Sequence, residues 1–474
     1  MKNDWRQMLH LEPKSGWLND PNGLCFFGGK YHVYFQYAPE SAYGAGGKCW
    51  GHWESPDLLN WRFTGTVLRP DCPDDRNGVY SGCGFVKGDT LNLFYTGNVK
   101  EEGEHDYITS GRGANVIRVT TRDGVTMSEK QTLLRNADYP EYCSCHVRDP
   151  KVWEENGVYR MVLGARTLDD KGCVLFYRSD DLVKWSFDYE LSVPDFGYMW
   201  ECPDVIDIDG HRFLGVCPQG IPHGKYGYMW EISERNTLGL SPQELSYGET
   251  EHQNVYSAGY FRYDDTLHDF EEWDYGFDFY APQTFTAPDG RILLIGWMGI
   301  GDIPYTNPTA ELGWQHCLTF PRCLTLRGDG GICQRPVNEF FSLEDTDKYP
   351  PVEFDDGEPL TAELPCYIVS PSNLAKFRLI FEDMLEMSLE NGVFTLLFTN
   401  NEVGRGRGIR RVILGELTYF ELIADKSSLE IYLNGGEKVM STRFYPPDTA
   451  VKIRGEGIGG SVYRLKGMEM ICDE

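Results

Sequence analysis

A strand-forming unit recurs five times along this 474-residue chain, and any fold must accommodate that recurrence. The copies lie at residues 30–35, 90–95, 158–163, 211–216 and 291–296, each rich in Tyr, Phe, Val, Ile or Leu. Each follows a turn pair: Gly28-Gly29, Gly88-Asp89, Asn156-Gly157, Asp209-Gly210 and Asp289-Gly290. Aromatic and β-branched runs bounded by such residues read as strands, and helical periodicity is scarce. A second repeat runs beside the first. Ser55-Pro56-Asp57-Leu58-Leu59-Asn60-Trp61 matches Ser179-Asp180-Asp181-Leu182-Val183-Lys184-Trp185, and Thr121-Arg122-Asp123-Gly124 is a degenerate copy. Short-strand repeats at a spacing of roughly 50–80 residues predict a propeller of four-stranded blades. Five copies predict an all-β, five-bladed β-propeller over residues 1–340; the alternative is a sandwich with chance internal similarity. Residues 341–365, dense in Asp, Glu and Pro, read as a linker or traverse. Alternating strands beyond them predict a C-terminal β-sandwich over residues 366–474.

Charge and cysteine usage narrow the class. Net charge is −28 and the pI is near 4.7. Nucleic acid is therefore not an expected partner, because phosphate binding needs a basic patch. The 14 cysteines form no paired C-x-x-C, and the N-terminus shows no apolar signal segment. The longest obvious apolar stretch, 292–300, is too short to span a bilayer. These features predict a cytoplasmic protein with reduced thiols, no membrane partner, and a monomeric or homodimeric state. No EF-hand-like loop, H-E-x-x-H, G-x-G-x-x-G or P-loop occurs, so neither metal nor cofactor is expected. Gly404-Arg405-Gly406-Arg407-Gly408 reads as a surface turn, and His52 as a packed strand residue.

The polar motifs keep register with the repeats. Asp20, in Trp17-Leu18-Asn19-Asp20-Pro21-Asn22-Gly23, precedes the first unit; Asn22-Gly23 reads as a tight turn that holds it. Tyr80-Ser81-Gly82, Arg148-Asp149-Pro150, Trp200-Glu201-Cys202-Pro203-Asp204 and Asp278-Phe279-Tyr280-Ala281-Pro282-Gln283 precede the other four. Each motif falls on the strand before an aromatic strand. In a propeller that strand surrounds the axis, so the five motifs converge on one pocket.

Three acids in one pocket suggest glycoside hydrolysis, which pairs a protonated carboxyl with an ionised one. Glu201 is the acid candidate, because Trp200, Cys202 and Pro203 hydrate it poorly and favour its protonated form. Asp20 is the nucleophile candidate. Asp149 follows Arg148, whose charge is expected to keep it ionised, and it can accept hydrogen bonds from sugar hydroxyls. A non-catalytic sugar-binding propeller is the rival from another class.

These residues resemble glycoside hydrolase family 32, the β-fructofuranosidases. The likeness rests on W-L-N-D-P-N-G at 17–23, Y-S-G at 80–82, R-D-P at 148–150, E-C at 201–202 and Y-A-P-Q at 280–283, and it covers essentially the whole chain. Within the family, the stretches around Arg148 and Glu201 look much like those of bacterial sucrose-6-phosphate hydrolases. The resemblance implies a five-bladed propeller with an appended sandwich. It implies cleavage of sucrose 6-phosphate, sucrose or short fructooligosaccharides, with exo-acting fructan hydrolysis as the alternative. By position, Asp20 would attack the fructosyl anomeric carbon, Glu201 would serve as acid and base, and Asp149 would stabilise the transition state. Asn19, Gln36, Ser81, Arg148, Tyr280 and Trp297 would line the fructosyl site, with Trp17 and Trp50 as apolar walls. Leu18, Tyr80 and Gln283 fall in the same motifs and count among the substrate-binding residues. Arg112 and Lys225 are the candidates for a phosphate. Val147 and Cys83 depart mildly from the family pattern.

Overall fold

The five repeated units become the second strands of five antiparallel sheets in the computed structural model. It describes residues 5–221, 256–264, 266–301, 305–371 and 373–472. Blade I comprises Gly16–Phe27, Lys30–Ala38, Cys49–Ser55 and Asn60–Leu68. Blade II comprises Val79–Lys87, Thr90–Lys100, Arg112–Thr121 and Gln131–Leu134. Blade III comprises Cys143–Glu155, Val158–Thr167, Gly172–Ser179 and Ser186–Leu191. Blade IV comprises Met199–Ile208, His211–Gln219, Gly259–Tyr263 and Leu267–Glu272. Blade V comprises Tyr280–Thr286, Ile292–Met298, Arg322–Leu326 and Ile332–Pro336. The propeller and the sandwich behind it are as the sequence predicts.

The second repeat is a turn between third and fourth strands. In blade I, Ser55 Oγ accepts the Leu58 amide while Asp57 Oδ1 accepts those of Leu59 and Asn60. Ser179 and Asp181 do the same in blade III, and Thr121 and Asp123 in blade II. Leu58, Leu182 and Gly124 take the left-handed conformation at the matching position. The degenerate copy is thus the same turn, and its Gly supplies the positive φ without steric cost.

Closure of the ring comes from a short segment inserted between the second and third strands of blade V. Trp314–Gln315 pairs in parallel with Gly16 and Trp17 of blade I, and the Gly16 amide donates to Gly313 O at 2.8 Å. Gly16 has φ +83°, and a Cβ there would lie 2.2 Å from Ala38 O. A side chain there would drive into the backbone of Ala38 and Pro39, next to the seam.

Two six-stranded sheets form the sandwich around a core that includes Phe377, Leu379, Phe394, Leu396, Leu422 and Ile431. The stretch read as a linker contributes Val352–Phe354 and Pro359–Glu363 to these sheets. Both strands lie at sheet edges. Edge strands tolerate Pro and exposed acids, which is why the segment looked like a linker. The final strand, Glu469–Cys472, leaves the sandwich and pairs in parallel with Asn60–Leu68 of blade I. Among the described residues no helix is long and apolar enough to cross a membrane.

Buried ion pairs weld the two domains. His10 bonds Asp425 at 2.8 Å and Glu430 at 2.9 Å, with all three side chains fully buried. Arg322 of blade V reaches Glu430 at 2.8 Å and Asp274 at 3.1 Å. Arg407 of the sandwich binds Asp278 at 2.7 Å. Burial opposes a charge on His10, but the hydrogen bonds of Asp425 and Glu430 overcome it and raise its pKa to about 9. A histidine pKa raised on folding stabilises fully below the unfolded value of 6.5 and loses that contribution as pH rises through about 9. His10→Ala is therefore expected to cost about 3–5 kcal/mol at pH 7, since it leaves buried carboxylates without their cation. Thermal melts from pH 7 to 10 check this; a gap between wild type and variant that does not narrow above pH 9 contradicts a charged His10.

Candidate active site

Every innermost strand carries one extra residue at the same level. Opposite the second strand, pairing jumps from Leu18 to Pro21, Val79 to Gly82, Arg148 to Lys151, Glu201 to Asp204 and Tyr280 to Gln283. Each jump of three faces a step of two on the neighbour, which makes a β-bulge. The bulged pairs are Asn19-Asp20, Tyr80-Ser81, Asp149-Pro150, Cys202-Pro203 and Ala281-Pro282. Pro is tolerated there because the bulge removes its amide from the ladder. Asp149, Cys202 and Ala281, just before those prolines, have φ of +63°, +46° and +47°. Non-glycine residues in that region store strain, and such strain clusters at functional sites.

Glu201 precedes its bulge, Asp149 is first in its own, and Asp20 is second. The common register read from the sequence holds for the blades, while the individual acids sit one residue apart within it. The turn reading of Asn22-Gly23 is corrected. Both residues lie inside the continuous strand Gly16–Phe27, and only Gly23 has positive φ. A Cβ on Gly23 would meet Tyr34 Cδ2 at 2.6 Å. Asn22 acts as a clamp instead. Its Nδ2 donates to Asp20 O, and its Oδ1 accepts the Gly82 amide of blade II, both at 2.9 Å.

A closed ring of hydrogen bonds fixes the Asp20 carboxylate. Ser81 Oγ donates to Oδ2 at 2.5 Å, and Asn19 Nδ2 to Oδ1 at 3.0 Å. Gln36 joins the two donors: its Nε2 donates to Ser81 Oγ at 2.6 Å and its Oε1 accepts from Asn19 at 2.9 Å. Trp17 Nε1 orients Asn19 through a 2.9 Å bond. Burial pushes the Asp20 carboxyl above its ordinary range against the bonds from Ser81 and Asn19, and the charge of Glu201 adds to the shift.

Glu201 sits among donors. Arg148 Nη2 and Tyr280 Oη donate at 2.7 and 2.6 Å, and Gln219 Nε2 at 2.5 Å. The apolar surroundings inferred from the sequence are not its environment. Trp200 turns into the core against Phe196 and Phe261, because neighbours along a strand face opposite ways. The Arg148 reading is corrected too. Its guanidinium binds Glu201, lies 3.9 Å from Asp149, and donates through Nη1 to His146 Nδ1 at 2.6 Å. Burial then pushes Asp149 up to about 7; Arg148 opposes the shift and Glu201 adds to it. The Cys202 amide donates to Asp149 Oδ2 at 3.0 Å, and Thr96 Oγ1 accepts the Asp149 amide at 2.8 Å. The Cys202 thiol touches two of the acids, 3.9 Å from Asp20 Oδ2 and 3.7 Å from Asp149 Oδ2.

Other expected contacts divide. Trp17 and Trp297 pack at 6.0 Å between ring centres, and Trp297 lies beside Tyr280. Tyr80 is half-buried. Leu18 and Trp50 are fully buried and present no surface to a ligand. Leu18 belongs to the core; Trp50 packs against Tyr34 and Tyr95 and donates to Tyr80 O, so it supports the wall from behind. Gln283 donates to Gly82 O across the axis at 2.8 Å and ties blade V to blade II. His52 stacks on His32 and Tyr34 in the core. Arg112 donates to Asn98 and Tyr107 O; Lys225 lies outside the described residues.

The family model for the glycosyl hydrolases family 32 N-terminal domain matches residues 10–336, and the model for the family's C terminal matches residues 397–466. The chain belongs to glycoside hydrolase family 32. It is 34% identical to a sucrose-6-phosphate hydrolase of Bacillus subtilis, covering 93% of this chain and 89% of the relative. A raffinose invertase of Escherichia coli is also 34% identical, covering 94% and 90%. The solved structure of sucrose-6-phosphate hydrolase from Lactobacillus gasseri shares the fold, with a TM-score of 0.83 at 24% identity over 98% of this chain and 94% of that one. This family 32 member is thus a β-fructofuranosidase-type glycoside hydrolase. Sequence reading missed Gln219, His146 and Thr96: Gln219 comes from the second strand of blade IV, Thr96 from the second strand of blade II, and His146 lies two residues before Arg148 on the same strand. Met199 pairs with Gln219, which brings the Gln219 amide to Glu201 two residues along.

Proposed function

We propose that this family 32 enzyme is a retaining hydrolase of the β-fructofuranosyl linkage in sucrose 6-phosphate or sucrose. Asp20 attacks the fructosyl anomeric carbon and forms an ester. Glu201 gives a proton to the departing sugar oxygen, then takes one from the water that cleaves the ester. Asp149 binds fructosyl hydroxyls as positive charge develops at the anomeric centre.

The observation that carries this reading is the different anchoring of the two outer acids. Both Asp20 oxygens are held by neutral donors, Ser81 and Asn19, with no cation bonded to them among the described residues, which fixes the carboxylate and leaves its charge for attack. Glu201 instead meets a guanidinium on one oxygen and, on the other, the Tyr280 phenol, whose hydroxyl can turn from donor to acceptor when the carboxyl carries a proton. Relatives whose names specify sucrose 6-phosphate support the phosphorylated substrate. The fourteen free thiols support action in a reducing cytoplasm, on a sugar already imported.

Measuring kcat/KM for sucrose 6-phosphate and sucrose tests the proposal. A preference of about tenfold or more for the phosphorylated sugar is expected, the worth of one charge-assisted contact. Equal values would assign a plain invertase, and no fructose release from either would overturn the reading.

A further inference from the structure

Three guanidinium groups surround one neutral imidazole beside the catalytic acid. The imidazole is His146. Its Nε2 donates to Tyr107 O at 3.0 Å and its Nδ1 accepts from Arg148, so the ring carries a single proton. Burial and the charges of Arg148, Arg112 and Arg166 hold its pKa down to about 3. Arg148 is committed to Glu201 at 2.7 Å, and Arg166 to Asp170 at 2.6 Å. Arg112 differs from both. Its Nη1 donates to Asn98 Oδ1 at 2.9 Å and its Nε to Tyr107 O at 3.0 Å, two neutral acceptors. Among the described residues no carboxylate pairs with it. Burial lowers its pKa, the Tyr80 phenol opposes that shift, and the charge of Arg148 adds to it.

The chain is shaped to hold this guanidinium. Arg112 opens the third strand of blade II and is partly buried. Tyr107 O, the acceptor it shares with His146, is presented by a backbone at φ +56°, a region that a bulky residue resists. Asp106 supports that turn by accepting the amides of Ile108, Thr109 and Ser110. The Cys145 amide then donates to Ile108 O at 2.7 Å, which clamps the turn to the strand that carries Arg148. The Tyr80 phenol lies close to both Arg112 and Arg148. Arg112 thus stands one side chain beyond the guanidinium that grips Glu201.

We propose that Arg112, together with Tyr80, binds the phosphate monoester of a phosphorylated leaving sugar. The proposal rests on the fructosidase reading, in which Glu201 protonates the leaving oxygen and so keeps the leaving sugar on its own side of the pocket. The free edge of a guanidinium can meet phosphate oxygens as a fork, and a phenol adds a further donor. Lys48 is another cation near the pocket, 4.9 Å from the Trp17 ring centre and within the field of Asp20. That is the nucleophile's side, which belongs to the fructosyl unit rather than to the leaving sugar.

The ratio of kcat/KM for sucrose 6-phosphate over sucrose tests the site. Arg112→Met is expected to lower it roughly tenfold or more, the worth of one charge-assisted contact, and Arg112→Lys to lower it less. A structural defect spread through Asn98 or Tyr107 would depress both sugars alike and leave the ratio where it was. A wild-type preference that Arg112→Met retains overturns the site while the substrate reading stands; its loss in Lys48→Met instead would move the phosphate to blade I. Calorimetry on Asp20→Asn protein, with and without Arg112→Met, decides the site even if neither sugar is cleaved. Sucrose 6-phosphate is expected to bind about tenfold tighter than sucrose, and Arg112→Met to remove the difference. Equal binding of the two sugars before that substitution overturns the site. Inorganic phosphate that binds as tightly as sucrose 6-phosphate and is lost in Arg112→Met would make this a free-phosphate site and overturn its role toward substrate. Failure of wild type to release fructose from either sugar would count against the fructosidase reading alone.

Discussion

Asp20→Asn is expected to reduce kcat on sucrose by about 10⁴-fold or more, because the amide cannot form the fructosyl ester. The protein should remain folded. Asn has the shape of Asp; its oxygen can accept from Asn19 while its nitrogen donates to Ser81 Oγ, whose hydroxyl turns away. The sign of any stability change follows from the environment. Burial raises the Asp20 pKa above its value in the unfolded chain, so the ionised carboxylate destabilises the fold as pH rises. A neutral amide removes that effect, and the thermal midpoint at pH 7 should hold or rise. Steady-state kinetics and a thermal melt on the same preparation check both points. Residual activity above about 1% of wild type would be incompatible with covalent catalysis at Asp20.

Glu201→Gln is expected to lower kcat on sucrose by about 10²–10⁴-fold, the usual share of a general acid. The loss should shrink for an aryl β-fructofuranoside whose leaving group needs little protonation. A structural role would depress both substrates alike, so the contrast separates chemistry from folding. Two local consequences follow from the geometry. Gln Oε1 can still accept from Arg148, but the opposite amide nitrogen would face Gln219 Nε2 and Tyr280 Oη. Tyr280 can turn its hydroxyl to accept, and Gln219 must flip. The guanidinium also loses its ionised partner, and Asp149 at 3.9 Å becomes the nearer charge. The limb of the pH–rate profile that belongs to Asp149 should therefore move to lower pH in this variant, as its cation becomes available to it. An unchanged limb would separate Arg148 from the titration of Asp149.

The site was largely legible as a set of positions and poorly legible as a set of interactions. Asp20, Ser81, Asp149, Glu201 and Tyr280 could be placed at one level because each precedes a repeated aromatic strand by a similar distance. The five bulges were invisible, since one extra residue within a strand leaves no compositional mark. They shift Glu201, Asp149 and Asp20 by one residue relative to each other, so each acid enters the pocket from a different point of its strand. Arg148 shows the second difficulty. Adjacency in sequence suggested a pair with Asp149, yet neighbours on a strand point apart, and a long guanidinium reaches across the blade gap to Glu201. Glu201 shows it again: its neighbour Trp200 faces the core, and its real surroundings come from blades III, IV and V.

What the sequence determined by itself was the repeat, and with it the number of blades, the sandwich that follows, and the blade from which each acid comes. These follow from period-two strands, turn residues and strand order, all written locally. Tertiary structure alone decided the closure of the ring at Gly16, the return of the last strand to blade I, and the placing of edge strands where a linker was expected. It also decided which donor meets which carboxylate, and that burial drives the pKa of Asp149 to about 7. The reason is physical. Burial and hydrogen-bond partnership are set by residues far apart in the chain, and proton affinity follows the partners a group meets in space.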